Sequence, residues 1–254
     1  MPSNLAPRVV PSLLISGGRL VKGRQFSDFR EAGLAASTIK VLNAQDPDEI
    51  MLINISKTLE DYSKALSVIS EAVGECDVPI TVGGGIRDVT QASRLFNLGV
   101  EKVVITSHLR KAPNLLREVA DIYGSQSVVA GIEYSEVLET EKAARNALAG
   151  DNRDELLAYA GELELLGAGE LLAICISRDG MRTGLDIDFL TSLTNQSEIP
   201  VIGMGGVGNF HHLVEGFLEC GLDAIGCGTL FTFGDNNPIR ARSFLKNQGI
   251  RVRQ

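Results

Sequence analysis

Features that would mark a nucleic-acid binder, a membrane protein or a metal site are missing from these 254 residues. Basic side chains are in deficit: 24 Lys and Arg stand against 32 Asp and Glu, a net charge of −8. That balance argues against nucleic acid as a partner, and any bound phosphate must be held by local geometry rather than by a basic field. Cysteine is sparse. Cys76, Cys175, Cys220 and Cys227 have no metal-ligand spacing, and three of them lie in or beside apolar runs. They read as reduced, mostly buried thiols of a cytosolic protein, with no metal expected. No apolar run approaches the ~18 residues of a membrane span, and Met1 to Pro7 carries no signal-like segment, so a soluble, cytoplasmic protein is expected. No low-complexity stretch or linker interrupts the chain, whose length suits one large core over residues 1–254.

What is present is organised around Thr81-Val82-Gly83-Gly84-Gly85-Ile86-Arg87-Asp88. An apolar run ends in three glycines, and Asp88 then opens the helical pattern Val89, Ala92, Leu95, Phe96. Strand, glycine turn and helix start make a cradle where backbone N–H groups can approach an anion. The design returns at Pro200–Gly208, aligned so that Gly83 falls on Gly205 and Gly99 on Gly221, and the strands after each match too. A repeat at half the chain length is too long for a solenoid and reads as two copies of one unit.

Short runs rich in Val, Ile and Leu predict strands at Arg8–Ile15, Glu49–Ile55, Ile80–Gly83, Lys102–Thr106, Ser127–Ile132, Glu170–Ile176, Pro200–Met204 and Ala224–Cys227. Their weak polar alternation fits parallel strands buried on both faces. Helical patterns lie between them, including Leu59–Val73, Val89–Leu98, Asn114–Tyr123, Arg153–Leu166, Phe189–Thr194 and Phe210–Cys220. The alternation and the half-chain repeat specify a (β/α)8 TIM barrel with internal half-barrel duplication, ahead of a doubly wound sheet. Long loops are expected at Ser16–Glu31 and Tyr134–Asn152, both after strand C-termini, where such barrels place their chemistry.

On that face, Gly83, Gly84 and Gly85 with Thr106 and Ser107 form one candidate phosphate cradle, and Gly205, Gly206, Gly228 and Thr229 the other. Such glycines can also serve tight turns alone; their duplication favours anion binding and a ligand with a phosphate at each end. Arg178-Asp179-Gly180 puts a carboxylate at the mouth, and Asp179 reads equally as a cap or turn residue. Lys22, between Gly18 and Gly23, suits a mobile cation closing over a phosphate, or a solvated surface lysine.

These motifs, with Val9-Val10-Pro11-Ser12-Leu13-Leu14, Gly124–Val129, Gly167–Glu170 and Ser177–Gly180, resemble the cyclase subunit of imidazole glycerol phosphate synthase from about Arg8 to the C-terminus. The resemblance implies a barrel that binds a bisphosphorylated substrate of histidine biosynthesis. It receives ammonia from a glutaminase docked on its bottom face; the resemblance implies no cofactor. It also implies a ring of four charged residues, one from each alternate strand, gating ammonia: here Arg8, Glu49, Lys102 and Glu170, each at a strand start. A salt-bridged plug would use similar residues, but the full pattern favours a retained gate.

Against the family's pattern, the mouth departs. The family's catalytic aspartate pair is replaced by Leu14, which cannot transfer a proton, and Glu133, whose carboxylate is displaced by a methylene. Asn54, Thr106, Ser177 and Met204 stand where the family has aspartate, asparagine, aspartate and serine. Candidate catalytic residues are therefore Glu133, Asp179 and Lys22, and candidate phosphate ligands include Gly180. A lost cyclase acid with a kept gate resembles a divergent branch in surface-polysaccharide pathways, thought to feed ammonia to a separate enzyme that makes an acetamidino sugar. Three readings stand: a synthase subunit of that kind, a true cyclase in which Glu133 and Asp179 share the work, and a non-catalytic glutaminase scaffold.

Overall fold

The structure, a computed structural model, describes residues 6–136, 152–232 and 235–253. Ten strands form one sheet: β1 (Arg8–Ser16), β2 (Arg19–Arg24), β3 (Ser27–Leu34), β4 (Ile50–Asn54), β5 (Ile80–Gly83), β6 (Lys102–Ile105), β7 (Val128–Tyr134), β8 (Glu170–Cys175), β9 (Val201–Met204) and β10 (Ala224–Cys227). β1 pairs in parallel with β4 on one side and with β10 on the other, through Leu14 opposite Ile53 and Pro11 opposite Cys227. That closes the strands from β4 to β10 with β1 into the expected parallel (β/α)8 barrel, and leaves β2 and β3 as an antiparallel appendage on β1.

Around it run α1 (Ala35–Asn43), α2 (Leu59–Glu75), α3 (Val89–Asn97), α4 (Leu115–Tyr123), α5 (Arg153–Leu165), α6 (Ile187–Gln196), α7 (Phe210–Leu218), α8 (Thr229–Thr232) and α9 (Pro238–Asn247). Most begin where a short polar side chain replaces a missing helical partner: Thr58, Asp88, Asn152, Asp186, Asn209 and Asn237 each accept a backbone N–H of the first turn. Pro238 adds a preset φ at the start of α9. None of the described helices is long and apolar enough to cross a membrane.

Strand alternation divides the chain into two cores. Along β1, Val9, Leu13 and Ile15 face the helices in the large outer core, while Val10 joins Met51, Val104, Val129, Leu172 and Ile202 inside the barrel. Arg8, Ser12 and Leu14 therefore share the inward face with Val10. Both faces being covered explains the apolar monotony of the strands. Each fully buried Leu or Ile contributes about 1.5–3 kcal/mol.

Three expectations need correction. Ser16–Glu31 is not a loop: β1 runs to Ser16, and the β2–β3 hairpin turns at Gln25 and Phe26, whose positive φ values of 50° and 55° follow the twist of a two-residue hairpin turn. Neither residue is the Asn or Gly that would have announced such a turn. Tyr134 belongs to β7, and of the second expected loop residues 137–151 lie outside the described residues. The half-barrels also superpose one residue differently from the sequence alignment. Gly84 and Gly205 are the equivalent pair: both have left-handed φ, 92° and 107°, and on either a Cβ would overlap the carbonyl at the end of the preceding barrel strand, Asn54 O or Cys175 O. The alignment of Gly99 with Gly221 holds because Cys220 adds a residue after α7.

Candidate functional site

The strand C-termini gather the expected mouth residues. Gly83 ends β5, and its missing side chain makes room for Ile53 and Val104, so it serves packing inside the barrel. Gly84 and Gly85 follow in left-handed turns, with Thr106 and Ser107 just past β6. Thr106 turns inward, since a Cβ on Gly131 would overlap its hydroxyl. Asp88 takes one N–H at the start of α3 and Asn209 two at the start of α7, and the glycine turns ahead of them offer further N–H groups to an anion.

Across the mouth, Gly205, Gly206, Gly228, Thr229, Gly180 and Asp179 line one pocket with Met204, Val207 and Gly226. Lys22 reaches this pocket from the hairpin and is only 5% exposed, which removes the solvated-lysine reading. Its Nζ fills the space that a side chain on residue 228 would need, so glycine there is a requirement for the lysine's position. The tip of the hairpin is tied down: Gln25 N donates to Asp179 O at 2.9 Å and Gln25 Nε2 to Ser177 O at 3.0 Å. Phe26 packs on the inner barrel core.

Asp179 is buried, and its Oδ2 has no hydrogen-bond partner among the described residues. Burial raises the Asp179 carboxyl above the usual range, against the pull of Lys22, and burial lowers the Lys22 ammonium, against Asp179 and Cys227. Both shifts favour the neutral forms. Glu133, inward on β7 beside Ile174 of β8, is pushed up to about 7 by burial, opposed by Arg110. A carboxyl at that value can give or take a proton near neutrality. Leu14, at the inward end of β1, is 6% exposed and lies level with Ile53. Met204 and Ile174 belong to the inner core, so the barrel wall running from Glu133 through β8 to β9 is apolar.

At the opposite end the four charged residues meet. Arg8 contacts Glu49 at 2.6 Å and Glu170 at 3.0 Å; Lys102 contacts Glu49 at 3.4 Å and Glu170 at 2.8 Å. The ring closes on itself. Its members come from the first, second, fourth and sixth barrel strands, not from strictly alternate ones. Thr81, on the third, donates to Glu49 Oε1 at 2.7 Å, a contact not anticipated from the sequence, although a polar residue in an apolar strand was a usable signal. Burial pulls Arg8 down, but the attraction of Glu170 and Glu49 outweighs it and the guanidinium ends above its ordinary value.

Sequence reasoning also missed Glu136, which holds Arg178 through bonds of 2.6 and 2.7 Å. Nothing in the local pattern marks it, because its partner lies on the next strand's loop. Among the described residues, no group of three or more His, Cys, Asp or Glu is arranged for a metal ion.

Residues 8–237 match the family described as "Histidine biosynthesis protein". The chain belongs to that family. Its relatives include proteins named imidazole glycerol phosphate synthase subunit HisF. The one from Chlorobium phaeobacteroides is 35% identical over 249 residues, covering 98% of this chain and 99% of that protein. Those from Chlorobium limicola and Pelodictyon phaeoclathratiforme are each 34% identical with the same coverage. The chain is thus HisF-like over nearly its whole length.

Proposed function

We propose that this barrel is the synthase subunit of a glutamine-dependent complex. A glutaminase docks where the strands begin, and ammonia passes the ring of Arg8, Glu49, Lys102 and Glu170 to a phosphorylated substrate at the mouth. The observation that carries this reading is the closed four-membered ring at the bottom of the barrel, in a chain whose relatives are named as synthase subunits. Support for a docked partner comes from the same end. Val41, Ile122, Leu165 and Leu218 are exposed apolar residues, each in the last turn of its helix, and Glu101 is exposed beside Lys102.

At the mouth, the two glycine cradles would hold phosphate groups, with Lys22 closing over the pocket of Gly205, Gly206, Gly228 and Thr229. Glu133 would move the proton, and Asp179 would receive a polar group of the substrate. Leu14 leaves no acid at the end of β1, so the reaction is ammonia incorporation into a phosphorylated or sugar substrate, as in the branch that serves acetamidino-sugar formation. A second reading, cyclisation in histidine biosynthesis, is favoured directly by the names of the relatives and requires Glu133 and Asp179 to share the acid and base roles.

The two part in one assay. Given ammonia and the bisphosphorylated histidine-pathway substrate, the purified protein should turn over roughly two to four orders of magnitude more slowly than an ordinary cyclase, the usual contribution of one acid or base. Leu14→Asp should raise that rate. Turnover at an ordinary cyclase's rate, or growth of a histidine auxotroph on this gene, would establish the second reading instead.

A further inference from the structure

We propose that the Glu136–Arg178 ion pair is a positioning device that fixes the Gly205–Gly206 cradle relative to the strand end carrying Glu133. The inference rests on the reading that this cradle takes phosphate. Arg178 sits between Ser177 and Asp179, and its fork is used on two sides. Nε and Nη2 hold both oxygens of Glu136, while Nη1 donates to Gly184 O at 3.2 Å and Leu185 O at 3.0 Å. Gly184 N in turn donates to Gly206 O at 2.9 Å, and Gly206 lies so close to Gly184 O that a Cβ would overlap it. A continuous set of hydrogen bonds therefore runs from Glu136, three residues past Glu133, through the guanidinium to the peptide of Gly206. It joins the loops after β7, β8 and β9.

Only a planar guanidinium can bind a carboxylate in bidentate fashion and reach two carbonyls on its other edge. The pair is half-buried, 27% exposed on each side, so it is neither a solvated surface contact nor a sealed one. The bond to Glu136 raises Arg178 above its ordinary value, and the bond to Arg178 lowers Glu136 below its own. Ser177 fits the same account. Its hydroxyl accepts from Glu136 N at 3.2 Å and lies 3.5 Å from Glu136 Oε2, so an aspartate at 177, as in the resembling cyclases, would set a second carboxylate against Glu136. The carboxylate at 136 and the hydroxyl at 177 form one matched arrangement.

The test is a titration of the full chain with inorganic phosphate, followed by amide NMR shifts at Gly206 and Gly228 for one cradle and at Gly84 and Gly85 for the other. Arg178→Lys and Glu136→Gln should each weaken binding at Gly206 and Gly228 by about tenfold and leave Gly84 and Gly85 unchanged. Glu136→Asp, which keeps the charge, should recover part of the loss. Unaltered affinity at Gly206 in both variants would overturn the inference, as would equal weakening at the two cradles, the mark of a general loss of structure. Should Arg178→Lys not fold, Glu136→Gln, which retains a hydrogen bond, decides alone. Absence of any phosphate shift at Gly206 in the wild type is a separate result and overturns the phosphate reading itself.

Discussion

The two ends of this barrel treat buried charge in opposite ways. At the bottom, Arg8, Lys102, Glu49 and Glu170 neutralise one another through four contacts, and Thr81 takes the remaining oxygen of Glu49. Glu170 Oε2 is the one ring oxygen buried without a partner among the described residues. At the mouth, Asp179 Oδ2 and Ser12 Oγ are buried without partners, Lys22 and Asp179 are each shifted toward neutrality, and Glu133 titrates near 7. Unpaired buried polar groups cost free energy, and the mouth keeps two of them beside its shifted ionisable groups. On the function proposed above, the bottom is nearly finished as folded, with Glu170 Oε2 its one exception, whereas the mouth is finished by what binds there. The family resemblance drawn from the sequence falls along the same division: it implies all four charges of the ring, and the departures it implies, Leu14 and Glu133 among them, lie at the mouth.

The largest effect should come from breaking the ring. Glu49 is the member with the least exposed side chain, at 2%, and Glu49→Ala leaves Arg8, Lys102 and Thr81 without their shared acceptor. Urea unfolding should show a loss of about 3–5 kcal/mol, the usual cost of orphaning a buried pair. A loss under about 1 kcal/mol would mean that the ring is solvated and would weaken the contrast between the two ends.

A smaller effect should appear with pH at the mouth. Glu133 carries a folded value of about 7, above that of an unfolded glutamate, so between about 4.5 and 7 the folded chain binds a proton that the unfolded chain has lost. Its contribution is greatest below pH ~4.5 and is lost as pH rises through 7. The total, roughly 3 kcal/mol, follows from the rise from 4.5 to about 7 at ~1.4 kcal/mol per pH unit. Comparing wild type with Glu133→Gln across pH 5 to 8 isolates it: the difference in stability should change steadily over that interval and level off above it. A constant difference would show that Glu133 is solvated and ordinary.

The barrel was legible because its strands are covered on both faces and its helices start at short polar caps such as Asp88 and Asn209, signals that live in adjacent residues. The ring was legible only through the family resemblance, since a charge at the start of an apolar run suits a salt-bridged plug as well. The hairpin was not, since Gln25 and Phe26 hold positive φ without being glycine or asparagine. The glycine alignment slipped by one because two glycines pair in either register; the register set by the approach to Asn54 O and Cys175 O is also the one that pairs Pro79 with Pro200 and the cap Asp88 with the cap Asn209. Lys22 was found by its flanking glycines, but its burial depends on Gly228, far along the chain. Glu136 and Arg178 meet only because β7 and β8 are neighbours, and no local pattern records that.

The central claim is that the finished end admits ammonia and the unfinished end consumes it. It is tested most directly by measuring glutamine-dependent and ammonia-dependent product formation for wild type and Lys102→Ala, with the glutaminase partner bound. Lys102 reaches both Glu49 and Glu170, so its loss opens the ring without touching the mouth. The account predicts a marked fall in the glutamine-dependent rate with the ammonia-dependent rate nearly unchanged, because ammonia from solvent reaches the mouth directly. Equal losses in the two assays would contradict it and leave the ring as a structural plug.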